Sequence, residues 1–136
     1  MTNILSDKAL AYLKEEHFAV LSTVNKDGSP QIATMWYLVD EDGTIVMNSI
    51  AHLQKVKNIR RDPRIAFCVQ EGQRYVSLSG TIELIEDQEV VRRDILRLTK
   101  RYIKDDETRE QYVASFLKQS RVALYLRAKK GNEAYL

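Results

Sequence analysis

Residues 18–49 read FAVLSTVNKDGSPQIATMWYLVDEDGTIVMNS, and the punctuation of this stretch decides the fold. Phe18–Val24 is a strand, apolar on both faces in its first half. Asn25-Lys26-Asp27-Gly28-Ser29-Pro30 is turn chemistry, with Gly28 free to take positive φ. Gln31–Val39 is a second strand, Asp40-Glu41-Asp42-Gly43 a second turn, and Thr44–Ser49 a third strand. Two successive hairpins predict an antiparallel meander and exclude a parallel α/β sheet.

Upstream, Ser6 caps a helix over Asp7–Glu16 with Ala9, Leu10 and Leu13 on its apolar side. Downstream, Leu53, Val56 and Ile59 recur at helical spacing through His52–Arg61, and Asp62-Pro63 ends that helix because a residue before proline is pushed out of the α region. Arg64–Gln70 is a fourth strand, followed by a turn at Glu71-Gly72. Tyr75–Leu84 alternates apolar and polar residues as a half-buried strand does. Gly80 stands where Ile or Val is expected, which marks a bulge or a close backbone approach. Asp87 opens a helix with Val91, Ile95, Leu98 and Tyr102 on one face, and Asp105-Asp106 separates it from a helix over Glu107–Lys118. Val122–Arg127 is a sixth strand, leaving the tail Ala128–Leu136 basic, then polar. Six short antiparallel strands with helices grouped between them make one α+β domain over residues 1–136, a closed or partly closed barrel.

Composition narrows the function. The 136 residues carry 21 Lys+Arg against 19 Asp+Glu, too even a balance for a dedicated duplex-DNA binder. At 44% hydrophobic and 29% charged, the chain has the mix of a soluble globule. The one cysteine, Cys68, permits no intrachain disulfide, which suits a reducing compartment. Residues 1–7 lack the basic and apolar segments of a secretory leader, and no segment has the length of a membrane span. The expectation is a cytoplasmic protein with no nucleic-acid or membrane partner.

The chemistry-bearing segment is NSIAHLQKVKNIRRDPR, residues 48–64. A strand ends in Asn48 and Ser49, small polar residues able to cap a helix. The helix that follows has Lys55 near its start and Lys57, Arg60 and Arg61 further along. First-turn N–H groups, the helix dipole and a lysine together make a phosphate pocket. The same charges also describe a solvated basic helix face. Elsewhere signals are weaker. His17 and His52 lack metal-ligand spacing and read as surface or junction residues. Cys68 reads as core. Trp36, beside Met35 and Tyr37, offers a flat wall for a ring or an anchor for the core or an interface. No catalytic acid–base pair or metal site is legible.

Phe18–Val24 with Asp27-Gly28-Ser29-Pro30-Gln31, then Asn48-Ser49, then Lys55-Val56-Lys57-Asn58-Ile59-Arg60-Arg61-Asp62-Pro63-Arg64, then Tyr75-Val76-Ser77-Leu78-Ser79-Gly80, run in the order and spacing of a known family. In these residues the chain resembles the pyridoxamine 5′-phosphate oxidase-like split barrels, most of all their small branch that depends on the deazaflavin coenzyme F-420. The C-terminal third matches only in pattern. The resemblance implies an antiparallel six-stranded, FMN-binding type of split β-barrel with flanking helices, a homodimer with two flavin-type sites at its interface, and hydride transfer to an unsaturated small-molecule substrate. It implies that Ser49 and Lys55 hold the cofactor phosphate, that Asn48 closes the loop, and that Lys57, Asn58 and Arg61 border it. Thr34, Met35 and Trp36 would lie along the cofactor ring, and Tyr75 would approach from the neighbouring strand. Ala33, Leu38 and Gln54 stand where FMN-gripping relatives carry cations, which favours coenzyme F-420 with FMN as the alternative. The basic row Lys57, Arg60, Arg61, joined by Lys129 and Lys130 of a partner chain, would suit a polyanionic tail. A carrier of a flavin or haem-like ligand, without turnover, is the competing class.

Overall fold

The strand expected over Gln31–Val39 is two strands, and the break between them sets the architecture. The computed structural model describes residues 4–136; the leader reading of Met1, Thr2 and Asn3 lies outside them. In chain order the elements are α1 (Asp7–Lys14), β1 (Ala19–Val24), β2 (Pro30–Met35), β3 (Leu38–Val39), β4 (Ile45–Ile50), α2 (Gln54–Arg61), β5 (Arg64–Glu71), β6 (Arg74–Ile85), α3 (Gln88–Tyr102), α4 (Asp106–Leu117) and β7 (Arg121–Ala134). The sheet is antiparallel throughout, in the order β2-β1-β5-β6-β7-β4-β3.

β2 and β3 therefore lie at opposite edges, yet only Trp36 and Tyr37 join them. Six inter-strand spacings would put the edges of a flat sheet about 29 Å apart. Three Cα steps span at most about 11 Å. The sheet must curl until its edges meet, which makes it a split barrel with its seam crossed by two residues. The expected meander is thus corrected: the two hairpins β1–β2 and β3–β4 flank the seam, and the strands number seven rather than six. The unbroken apolar run of residues 35–39 hid the break.

At the crossing the two side chains part. Tyr37 enters the barrel core, edge-on to Phe67 at 5.5 Å, and its hydroxyl donates to the Leu13 carbonyl at 2.8 Å. Trp36 joins an outer cluster with Leu38, Val46 and Leu98 beneath α3. Tyr37 has no strand partner; the Tyr102 hydroxyl replaces it. That oxygen accepts from the Tyr37 N–H at 3.2 Å and lies within donating reach of the Tyr37 and His17 carbonyls. The Tyr102 ring stacks on Trp36 at 5.0 Å and on Phe18 at 5.5 Å. Next to it, Arg101 donates to the Leu13, Lys14 and Glu15 carbonyls, closing the C-terminus of α1.

Local expectations mostly hold. Ser6 caps α1 through the Ala9 N–H, and Asp87 caps α3 through Glu89 and Val90. The ladder shifts at Ser79/Gly80, and a Cβ at Gly80 would stand 2.1 Å from the Arg127 carbonyl, so the bulge and the close approach are one feature. Three expectations are corrected. The tail is strand: β7 runs to Ala134, paired with Tyr75–Ser79 of β6. Cys68 faces outward, half-buried beside Val20. Burial pushes its thiol pKa up. His17 is buried, its Nδ1 3.1 Å from Glu71 and its Nε2 3.4 Å from Glu15. Arg74 takes both Glu15 oxygens, so this grouping is an ion-pair clamp between the end of α1 and the β5–β6 turn.

Replacing Tyr102 by phenylalanine keeps the stack but strips the Tyr37 N–H of its acceptor, a loss of about 1–3 kcal/mol for a buried donor. Thermal unfolding should drop by several degrees. Tyr112→Phe, whose hydroxyl has no hydrogen bond among the described residues, should leave the transition in place; equal shifts would show that the seam does not depend on this hydroxyl.

Candidate functional site

Where β2 ends at the seam, β4 also ends and β7 begins, because Ile50 pairs with Arg121 and the Ala51 N–H reaches the Ser120 carbonyl at 2.8 Å. α2 starts from the same corner. α3 and α4 stand over the other side. Between them opens a cleft of about 290 Å³. One end is polar, with Asn48, Ser49, Lys55 and Arg121. The other is apolar, with Trp36, Leu98, Tyr112 and Phe116 among its walls.

The polar end carries two cations and no carboxylate. Among the described residues Lys55 makes no hydrogen bond or ion pair. Burial, and then the charge of Arg121, push its pKa below the ordinary lysine range. Burial also lowers that of Arg121. Arg121 Nε donates to Asn48 Oδ1 at 2.8 Å, and its guanidinium lies 4.7 Å from the Phe116 ring centroid. The Asn48 amide nitrogen is buried without an acceptor. Two half-buried cations and an orphaned N–H donor make a site that an anion would complete. No side chain caps the first turn of α2, whose N-cap is Leu53, so Asn48 and Ser49 serve the cleft from β4 rather than the helix they were expected to cap.

Six of the ten expected residues meet here: Thr34, Met35, Trp36, Asn48, Ser49 and Lys55. The other four do not. At 100° per residue Lys57 is turned about 200° from Lys55, into solvent. Asn58 is buried on the barrel side, donating to Thr23 at 3.0 Å and Asn25 at 2.9 Å. Arg61 is spent on the Val24 carbonyl and Asn58. Tyr75 pairs with Gln70 and Ala134, outside the cleft of its own chain. The basic row is broken too, since Arg60 pairs with Glu86 at 2.6 Å.

Sequence reasoning missed Arg121, Tyr112 and Phe116. Gln54 donates to Asn58, Leu38 is buried and Ala33 packs on the core, so none supplies the absent clamp cations. The second cation comes instead from β7.

With this geometry in view, comparisons with known proteins become informative. The family model described as pyridoxamine 5′-phosphate oxidase matches residues 5–133. The chain belongs to the pyridoxamine 5′-phosphate oxidase family. Within reach of it is the biliverdin reductase of Mycobacterium tuberculosis dependent on reduced coenzyme F-420, 33% identical over 102 residues, or 74% of each chain. A conserved hypothetical protein of the same organism has a solved structure that superposes with a TM-score of 0.81 at 28% identity, over 98% of this chain and 87% of that one. A solved coenzyme F-420 reductase shares the fold, with a TM-score of 0.72 at 24% identity over 90% of this chain and 94% of that one. The family accounts for the split barrel. No helix among the described residues is long and apolar enough to cross a membrane.

The depressed Lys55 fixes a pH dependence. A lowered folded-state pKa means the unfolded chain holds this proton more tightly, so charged Lys55 is a cost to folding that is relieved as pH rises through the folded value. An anion beside it favours the charged form. Sulfate, whose charge is constant in alkaline solution, should therefore lose affinity at a pH below about 10.4, where an ordinary lysine discharges. Calorimetric titrations across that range should show the loss in wild type and not in Lys55→Arg. A flat wild-type profile would return Lys55 to a solvated helix face.

Proposed function

We propose that this protein is an oxidoreductase that binds a phosphorylated flavin-type cofactor, reduced coenzyme F-420 first, and serves hydride transfer to an unsaturated small organic substrate. The observation that carries the reading is the cleft's polarity: unpaired cations and an orphaned amide at one end, an aromatic wall at the other. A phosphate tethered to a flat ring presents the matching pair of groups. The relative that reduces biliverdin with this coenzyme makes a conjugated acceptor the first to offer.

When bound, the cofactor supplies the hydride chemistry. Lys55, Arg121 and the Asn48 amide hold the anion, with Ser49 beside them once its hydroxyl turns from the Ile50 carbonyl. Trp36, fixed by its stack on Tyr102, gives the ring a rigid surface and, with Leu98 and Phe116, excludes water from it. Among the described residues no carboxylic acid or histidine lines the cleft, and solvent can supply the proton that balances the hydride. FMN is the second reading, favoured by Arg121, which restores one cation of a phosphate clamp that Ala33, Leu38 and Gln54 lack.

The cofactor site is proposed to be completed by a second copy of the chain. Phe18, Val20 and Ile32 are 61%, 42% and 67% exposed on one face of β1–β2. Val20 pairs with Thr34, so this apolar face runs directly into the cleft. A homodimer burying it, with an interface above about 1,000 Å², would border both cofactors. Sedimentation equilibrium should give a dimer at micromolar concentration, reduced to monomer by Ile32→Asp; a wild-type monomer would contradict the shared site.

Two titrations of the cofactor-free protein decide identity. Coenzyme F-420 should bind more tightly than FMN, and Lys55→Ala should weaken it about tenfold or more, the loss of a charged hydrogen bond of about 1.5–3 kcal/mol. The melting temperature without ligand should not fall, because Lys55 is a burden when unpaired. Offering biliverdin to protein and reduced coenzyme should oxidise the coenzyme. Tight FMN binding with no affinity for coenzyme F-420 would favour the second reading, and binding without turnover with any acceptor would make the barrel a carrier.

A further inference from the structure

α4 covers the apolar end of the cleft, yet none of its residues is buried. Its N-terminus is held by its own cap, Asp105 to Thr108, and by Arg109, which donates to the Ile103 carbonyl at 2.9 Å. At its C-terminal end one side chain enters the body. Phe116 packs on Val91, Ile95 and Ala123, meets Trp36 edge-on at 6.2 Å and Tyr112 at 5.9 Å, and lies against the Arg121 guanidinium. Phe116 is therefore the aromatic anchor of this helix on the cleft, and one face of that anchor meets a cation of the cleft's polar end.

Arg121 is tied in two more directions, to Asn48 Oδ1 in the cleft and to Gln119 in the loop that follows α4. A planar guanidinium can carry a ring on its face while its edge donates to acceptors, which an ammonium cannot do. Arg121 takes this pose beside the charge of Lys55 and, among the described residues, without a carboxylate partner. An anion between the two cations would reverse that electrostatic balance and favour the pose.

We propose that Arg121 is a positioning residue: by meeting the anion with its edge and Phe116 with its face, it couples anion binding at Lys55 to the seating of α4 over the cleft. This rests on the anion reading of the polar end. The coupling is reciprocal, so weakening the Phe116 seat weakens anion binding even though Phe116 touches no anion. Its consequence is cooperativity: engagement of the phosphate end and seating of α4 over the cleft favour one another.

Hydrogen exchange on the full chain tests this with inorganic phosphate as the probe. Saturating phosphate should slow exchange of the α4 amides, residues 106–117, by about fivefold or more, alongside those of residues 54–57. In Arg121→Lys, which keeps a cation but loses the planar face, phosphate should still protect residues 54–57 and no longer slow α4. Phe116→Leu should bind phosphate about fivefold more weakly than wild type. Protection of residues 54–57 with α4 unchanged in wild type would overturn the coupling and leave the anion site standing. Arg121→Lys behaving as wild type would overturn the role of the stacked face. Protection of neither segment would overturn the anion reading itself, and this inference with it.

Discussion

Trp36 and Tyr37 connect two strands that lie at opposite edges of one sheet, and the chain between them is too short for any flat arrangement. Curling the sheet satisfies the link, and the link then fixes what the seam contains. One side chain of the pair has to fill the interior and the other the outside. The backbone at the crossing has no ladder to join, so its polar groups need another partner. Tyr102 provides it from α3, and the same ring holds Trp36 by stacking. The wall of the cleft is thus a by-product of closing the barrel, which makes it rigid before any ligand arrives.

The charges divide into two populations. Several are paired: Arg74 with Glu15, Arg60 with Glu86, and the buried Asp94 with Arg93, Arg97 and the Tyr125 hydroxyl. Lys55 and Arg121 are the contrast. Each is desolvated, each lowers the comfort of the other, and the amide beside them lacks an acceptor. Folding alone gives no return on such an arrangement, since a half-buried charge without a counter-charge opposes stability. Binding a phosphate would satisfy all three groups at once. Family membership accounts for the barrel, but one fold hosts several chemistries, so the argument for activity rests on the corner's own residues.

Much of this was legible in the sequence, for identifiable reasons. The ends of α1 and α3 were visible because Ser6 and Asp87 are caps whose side chains act locally. Gly80 was visible because it interrupts a strict alternation. The seam was not, since residues 35–39 are apolar throughout and carry no glycine or proline to mark a break. The last half of β7 was missed because Lys129, Lys130 and Asn132 are polar on both faces, and the ladder to β6 rather than burial keeps them extended. In the cleft, Asn48, Ser49 and Lys55 sit within eight residues of one another and could be read together. Arg121 and Phe116 reach the same place through tertiary packing, so no spacing announces them. Lys57 shared the motif but is turned away from Lys55, and Asn58 and Arg61 are spent on β1 and the turn after it.

The central claim is that a ring held by its phosphate at Lys55 and Arg121 lies against Trp36. Trp36 is the only tryptophan in the chain, so any change in tryptophan emission arises at that one ring. Titrating the cofactor-free protein with coenzyme F-420 should quench Trp36 to saturation, with the same midpoint as binding measured by the polarisation of the coenzyme's own fluorescence. Lys55→Ala should move both midpoints together, to about tenfold higher concentration or more. Rising polarisation with unaltered Trp36 emission would mean that the cofactor binds elsewhere, and would contradict this account.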